Sequence, residues 1–203
     1  KTEAYRQAVR YALGNLTQYY SDYKWEGGGA DGYADSIEGA INLYNREPVR
    51  SVEEWLDYST KLMWKIQKPD GIVEGWHGDG NFARTTIMYC LWKTKGLTIR
   101  PWREDVIFGA VQDGDTLKIT MRAEKDWQGR LIFDTPRHKT FMKMPIDWPR
   151  INQFPEWFTV EAGKSYVGHD LTSNSSQTLT GKQLHEGITI HLKAGIERRM
   201  LVK

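Results

Sequence analysis

The sequence predicts an α+β protein of two parts, a helical array over residues 1–98 and an antiparallel β-sandwich over residues 99–203. Two observations support this division. Apolar residues recur at three- and four-residue spacing up to about Lys95, which is the period of amphipathic helices. Beyond Pro101 the period falls toward two and turn-forming residues become frequent, as in antiparallel strands. A chain of 203 residues suits one large domain or two small ones.

The composition is ordinary for a globular protein except in its aromatic residues. Charged residues make up 27% of the chain and the net charge is +2, so the composition does not call for nucleic acid or an anionic membrane as a partner. The chain has 9 Trp and 10 Tyr but only 6 Phe. Trp and Tyr join a flat apolar ring to a polar tip, which suits amphipathic ligands such as sugars. A Trp-rich core is the alternative interpretation.

The sequence also gives information about disulfides, membrane spans and processing. The single cysteine, Cys90, excludes an internal disulfide, and its apolar helical surroundings predict a buried, inert thiol. No apolar window is long enough to span a membrane. The sequence opens at Lys1 without an initiator Met or a signal peptide, so we expect a processed or fragmentary chain.

Helical periodicity accounts for most of the first part. Pro48 ends the second predicted helix. Ser51 and Glu54 favour a capping box at the start of the third, and Gly96 is a natural C-terminal cap for the fourth. The predicted helices cover residues 3–20, from between 31 and 36 to about 45, 51–67, and about 81–95.

Short alternating segments account for the second part. Asp113, Gly114 and Asp115 predict a hairpin turn, whereas the Ser- and Thr-rich residues 173–180 indicate a loop. An antiparallel sandwich is the expected arrangement. The predicted strands cover residues 106–111, 116–123, 130–134, 158–160, 165–167, 187–192 and 199–203.

Two loops of the helical part are glycine-rich and carry polar and aromatic side chains. Because a plain turn alternates with them in an array of helical hairpins, we expect residues 24–35 and 70–81 to lie at the same end. Carboxylates beside stacking aromatic rings are typical of a carbohydrate site, where two carboxyl groups divide the general-acid and general-base roles. The side chains concerned are Trp25, Glu26, Asp31, Tyr33, Asp35, Glu74, Trp76, His77 and Asp79.

Several of the polar residues also have a purely structural interpretation. Asp79 or Asn81 can cap the helix that follows the second loop. Asp35 and Glu38 have the spacing of a capping box at the start of the second helix. Arg84 can form a salt bridge with a carboxylate on a neighbouring helix.

Segments in both parts resemble a known enzyme family. Residues 76–84, with the sequence Trp-His-Gly-Asp-Gly-Asn-Phe-Ala-Arg, resemble the late helices of (α/α) toroid glycan-processing enzymes, and residues 31–38 resemble the preceding helix. Residues 134–138, 148–158 and 187–192 are similar to the C-terminal sandwich of bacterial polysaccharide-degrading proteins.

This resemblance implies an α+β multidomain protein, with the α-helical hairpins of an incomplete (α/α) toroid over residues 1–98 and an antiparallel β-sandwich over residues 99–203. It implies a periplasmic or secreted bacterial protein that acts on uronic-acid-containing glycans, nearest to β-glucuronidase-type and heparinase-like enzymes. The expected partner is an oligo- or polysaccharide, without a cofactor, nucleic acid or membrane. Four helices cannot close a toroid, so we expect either that N-terminal helices of the same protein, absent from this chain, complete it, or that the protein is a truncated relative.

A glycoside hydrolase is the first functional hypothesis. Asp79 and Glu74 are the acid and base candidates, and His77 is the third catalytic candidate. His77 and Arg84 would bind a uronate carboxylate, since Arg presents a planar fork of donors. The expected substrate-binding residues are Trp25, Asp31, Tyr33, Asp35, Glu38, Trp76 and Arg84.

Two further hypotheses stay open. A polysaccharide lyase needs a base and an acid at the sugar C5 proton, and Tyr33 with His77 can serve. A non-catalytic glycan-binding module would use the β part, with Trp148, Trp157 and His138. The five histidines are too scattered to predict a metal site. The sequence also has no phosphate-loop, nucleophile-elbow or dinucleotide motif.

Overall fold

The computed structural model describes residues 2–145 and 156–203. Its described residues form two compact units, residues 2–90 in the first and residues 91–145 with 156–203 in the second. The division falls inside a helix, earlier than the predicted boundary at residue 98. Trp148 lies outside the described residues, as do most residues of the segment 148–158 that resembles a sandwich domain.

Four helices form the first unit, as the periodicity predicts. They are α1 (Thr2–Tyr20), α2 (Ala30–Tyr44), α3 (Ser51–Trp64) and α4 (His77–Thr94), and a single 3-10 turn (Trp25–Gly28) precedes α2. Two predicted details are wrong. Ser51 is the first residue of α3 rather than its N-cap, and the actual N-cap, Arg50, has no side-chain cap bond, so the capping box with Glu54 does not form. In addition, α4 begins before residue 81.

The core of the first unit lies along α2 and α3. Ile37 and Ile41 of α2 and Trp55 and Leu56 of α3 are fully buried. On α1 only Leu13 is buried, while the predicted apolar face leaves rings such as that of Tyr5 exposed. Helix α2 therefore has buried neighbours along its length, which holds its first turn in place.

Cys90 differs from its prediction. The residue is exposed, because it occupies a face of α4 that its buried neighbours Tyr89 and Trp92 do not share. Desolvation nevertheless raises the pKa of its thiol above the ordinary value. No described helix is both long and apolar enough to cross a membrane.

Two antiparallel sheets form the second unit. One has the strand order β1-β4-β7 and the other β2-β3-β8-β5-β6. Their inward side chains, from Leu97 to Val202, belong to one hydrophobic cluster. The strands are β1 (Thr98–Arg100), β2 (Val106–Asp113), β3 (Thr116–Ala123), β4 (Trp127–Ile132), β5 (Ser165–Asp170), β6 (Ser175–Thr180), β7 (Ile188–Leu192) and β8 (Arg198–Val202), with helix α5 (Gly181–Glu186) between β6 and β7.

The hairpin β2–β3 confirms the predicted turn, with Asp113 paired to Thr116. Other local predictions are wrong. Residues 175–180, predicted as a loop, form the edge strand β6, whose only buried side chain is that of Leu179. Residues 158–160 contribute only an isolated bridge between Thr159 and Asp134. Strand β1 and helix α5 are not among the predicted elements, although Thr180 and Gln183 form a capping box at the start of α5.

Candidate functional site

The two glycine-rich loops of the helical unit meet, as expected from the alternation of loops and turns. The backbone N–H of Ala30 donates a 2.6 Å hydrogen bond to Oε1 of Glu74. Nε2 of His77 lies 3.3 Å from Oδ2 of Asp31, and the side-chain amide of Asn81 donates to Oδ1 of Asp31. Three side chains of the second loop and the start of α4 therefore contact the first turn of α2.

Glu74 acts as a cap for a helix that it does not belong to. Ala30 is the first residue of α2, and its N-cap Gly29 has no side chain to offer. The Glu74 carboxylate accepts from the Ala30 N–H, which has no acceptor within the helix. Its negative charge also suits the positive end of the helix dipole. The other oxygen, Oε2, is buried without a hydrogen-bond partner in the described part of the chain.

Gly78 makes room for the Glu74 carboxylate. A Cβ built at Gly78 would collide with Oε2 of Glu74 and lie 3.7 Å from Cβ of Asp31. A Cβ at Gly80, two residues further along α4, would meet nothing within 4 Å. The close contact between the loops thus depends on the missing side chain at position 78.

Asp79 organises the backbone of its own loop. Its carboxylate accepts hydrogen bonds from the N–H groups of Val73, Glu74, Gly75 and Trp76, at 2.8, 3.3, 2.6 and 2.9 Å. These bonds, that of Val73 foremost, hold the pKa of Asp79 below its ordinary value although desolvation acts in the opposite direction. Its third place in α4 explains why α4 starts earlier than predicted, because the back-bonded carboxylate stabilises a turn at residues 76–79. An ionised carboxylate held in this way is poorly suited to donate a proton.

Contacts between side chains, rather than bonds to backbone, link Asp31 to His77 and His77 to Trp76. The Asp31 side chain retains only 16% of its exposure, whereas that of His77 retains 64%. Trp76 is 56% exposed, and its ring meets the His77 ring edge-on, with centroids 4.0 Å apart and planes at 77°. A carboxylate thus holds one nitrogen of an accessible imidazole, next to an accessible indole.

Asn81, predicted only as a possible helix cap, contacts Asp31. His77 and Asn81 are four residues apart, so they share a face of α4, and both reach Asp31. That spacing is a sequence signal that could have identified the contact.

Arg84 is engaged by carboxylates of α2. Its guanidinium Nη2 lies 2.6 Å from Oε2 of Glu38 and 3.7 Å from Oδ1 of Asp35. Desolvation raises the pKa of Glu38 above its ordinary value, and the charge and hydrogen bond of Arg84 offset only part of that shift. Both acids lie inside α2, which begins at Ala30, so they do not form the capping box considered from the sequence.

Trp25 and Tyr33, predicted to bind substrate, are less accessible than ligand-stacking residues need to be. Trp25 is half-buried in an aromatic cluster, stacked on Tyr20 with centroids 5.6 Å apart and edge-on to Tyr23 and Trp55. Tyr33 is only 8% exposed. Trp76 is therefore the accessible aromatic side chain among those predicted to bind a sugar in this unit.

Two of the three β-unit residues considered for glycan binding, His138 and Trp157, lie in the described part of the chain, and neither is exposed. His138 is 2% exposed, and Glu156 accepts hydrogen bonds from both its ring nitrogen and its backbone N–H, at 2.7 Å each. Trp157 is half-buried. Across residues 2–145 and 156–203, no group of three or more His, Cys, Asp or Glu side chains could hold a metal ion.

Comparison with known proteins adds no family assignment. No protein-family model matches the chain, and no curated protein is significantly similar to it.

Proposed function

We propose that this chain is part of a carbohydrate-active enzyme whose helical unit binds a glycan at the two paired loops. The observation that carries the proposal is the accessible Trp76 indole, set beside an imidazole that Asp31 holds. An indole face stacks on the C–H face of a sugar ring, and the polar groups beside it bond sugar hydroxyls. We also propose that the chain forms part of an (α/α) toroid followed by a β-sandwich.

Hydrolysis of a uronic-acid-containing glycan is the first reaction we propose, supported by the resemblance of residues 31–38 and 76–84 to toroid enzymes. Asp31 bonds side chains of the other loop, so we assign the acid or base role to it. Asp79 is held by its own backbone and Glu74 caps α2, so neither is assigned that role. We assign recognition of the uronate carboxylate to His77, because Arg84 already pairs with Glu38 and Asp35.

Elimination by a lyase is the second candidate reaction, and the contact of His77 with Asp31 favours it. A carboxylate that bonds one imidazole nitrogen orients the ring and sets its tautomer, which leaves the other nitrogen to remove a proton. In this reaction His77 takes the C5 proton of the uronate, the C4–C5 double bond forms as the C4–O glycosidic bond breaks, and the departing oxygen takes a proton from water.

Activity on a panel of polysaccharides tests the proposal and separates the two reactions. Hydrolysis releases new reducing ends without ultraviolet absorbance, whereas elimination also produces an absorbing unsaturated uronate. For elimination we expect H77A to lower turnover by roughly 10²–10⁴-fold, the usual contribution of an acid or base. For hydrolysis we expect the same variant mainly to weaken substrate binding.

The binding role of Trp76 has a matched control. We expect W76A to weaken glycan binding by about tenfold, whereas W102A, at an indole that is 74% exposed in the β unit, leaves it unchanged. Binding with no turnover in the intact natural protein would indicate a non-catalytic glycan-binding module. Absence of both binding and turnover on every glycan tested would overturn the proposal.

A further inference from the structure

A polar groove of about 400 Å³ opens on the β unit. It lies where the edge strands β6 and β7 of the two sheets approach each other, with α5 between them in the chain. Leu179 and Ile188, both buried, form its apolar floor. A volume of this size accommodates a ligand of one or two sugar rings.

Two of the groove's polar side chains are held in place by bonds that leave part of their capacity unused. Oε1 of Gln183 accepts from the N–H and the hydroxyl of Thr180, so its amide NH2 donors are left over. Nη1 of Arg130 donates to the carbonyl oxygen of Glu186 at 3.3 Å, and its other N–H groups have no recorded partner in the described ranges.

Gly187 fixes the position of Arg130. It has a φ of +96°, which glycine adopts without strain, and a Cβ there would lie 3.0 Å from Cβ of Arg130. The stem of the arginine therefore packs directly on the backbone at the bottom of the groove. Because both Arg130 and Gln183 are restrained, a ligand would have little side-chain entropy to overcome in binding them.

The remaining lining groups determine the class of ligand. Gln177 and Thr189 each provide donors and acceptors, and Glu186 provides an acceptor. The charges of Arg130 and Glu186 cancel, so the lining has no net charge to attract an anion. Mixed donors and acceptors over an apolar floor match a ring that carries hydroxyls on its edge and C–H groups on its face.

We infer that this groove binds a neutral sugar unit of a glycan, as a second carbohydrate site separate from the paired loops. The inference takes its ligand class from the proposed function, whereas the groove itself is independent of the loop residues. It would give the protein two points of attachment to one kind of polymer, and linked attachments raise the overall affinity for that polymer.

Titration of the full chain with neutral disaccharides, followed by amide NMR, tests the inference. Cellobiose, xylobiose and mannobiose are the probes, and digalacturonate is the anionic counterpart. We expect a neutral disaccharide to shift the amide signals of Leu179, Gly187 and Thr189. The double variant Q177A/T189A is expected to weaken this binding by about tenfold, since each lost hydrogen bond costs roughly a factor of three to ten.

Q112A is the matched control, because Gln112 is another exposed glutamine on a strand of the β unit but does not line the groove. It should bind the disaccharide as the wild type does. Three results would overturn the inference: no shift at the groove with any neutral disaccharide, a preference for digalacturonate, or unchanged binding in a folded Q177A/T189A variant.

The same spectra separate this inference from the proposed function. Shifts at the Trp76 indole without shifts at Gly187 would contradict sugar binding in the groove and would support glycan binding at the paired loops. Shifts at Gly187 without any at Trp76 would support the groove and count against the loop site.

Discussion

The two loops of the helical unit resemble each other in sequence but use their carboxylates differently. The loop at residues 70–81 uses Asp79 to bind its own backbone N–H groups and Glu74 to cap α2. The loop at residues 24–35 leaves Asp31 to side chains, those of His77 and Asn81. The oxygens of a carboxylate in a glycine-rich loop can thus be occupied by hydrogen bonds from backbone N–H groups, which leaves them less available to a substrate. The carboxylate that bonds side chains is the better candidate for chemistry.

Substitution of Asp79 should produce the largest change in stability. We expect D79N to lower the melting temperature by roughly 8 °C or more at neutral pH, because an amide cannot accept the same four backbone N–H groups. D115N, at an exposed turn residue, is the control and should have little effect. A D79N variant with the same melting temperature as the wild type would show that the bonds between Asp79 and the backbone do not contribute to stability.

The stabilisation by Asp79 should also depend on pH. Its pKa in the folded chain is lowered from 3.8, so the stabilisation is complete above that pH and is lost as the pH falls through the lowered value. The difference in melting temperature between wild type and D79N should therefore shrink in acid. A difference that grows below pH 3.8 would contradict the assignment.

Removal of the Arg84 charge should have a smaller effect, with its own dependence on pH. Glu38 is buried and its pKa is raised, so its ionised form costs more stability as the pH rises through that value. We expect R84M to lower the free energy of unfolding by about 1–3 kcal/mol at neutral pH. This loss is smaller than for a fully buried ion pair because the Arg84 side chain is 40% exposed. In acid we expect a smaller loss. Urea unfolding at both pH values measures this, and R84K should recover part of the loss. An equal loss at both would argue against the ion pair.

The glycines of α4 provide the finest comparison. We expect G78A to cost about 1–2 kcal/mol, because its methyl group would displace the Glu74 carboxylate from Ala30. G80A should be neutral or stabilising by up to about 1 kcal/mol, since alanine favours a helix and its methyl group meets nothing. Chemical denaturation of the two variants measures the difference, and equal stabilities would show that position 78 does not support the contact between the loops.

Much of the architecture can be predicted from the sequence, because the spacing of apolar residues indicates which face of an element is buried. The helices and the β2–β3 hairpin are examples. Strand β6 escaped prediction because it is an edge strand that buries only Leu179, so its sequence lacks an apolar alternation. The start of α4 was placed too late because Gly78 and Gly80 mask a first turn that the Asp79 carboxylate stabilises.

The candidate site was predictable as a region and less so residue by residue. The alternation of loops and turns was enough to predict that residues 24–35 and 70–81 meet. The separate tasks of Asp79 and Asp31 depend on which backbone N–H groups the folded loop presents, and spacing alone does not determine that. The same limit applies to Arg84, whose partners lie on α2.

NMR titration of the indole N–H of Trp76 tests the central claim most directly. The chain is titrated with neutral and uronic-acid-containing oligosaccharides, and the signal is assigned with W76F. We predict that at least one oligosaccharide shifts the Trp76 indole signal, that D31N reduces the shift, and that the exposed Trp102 indole does not respond. A response at Trp102 alone, or none at Trp76 with any oligosaccharide, would contradict a glycan site at the paired loops.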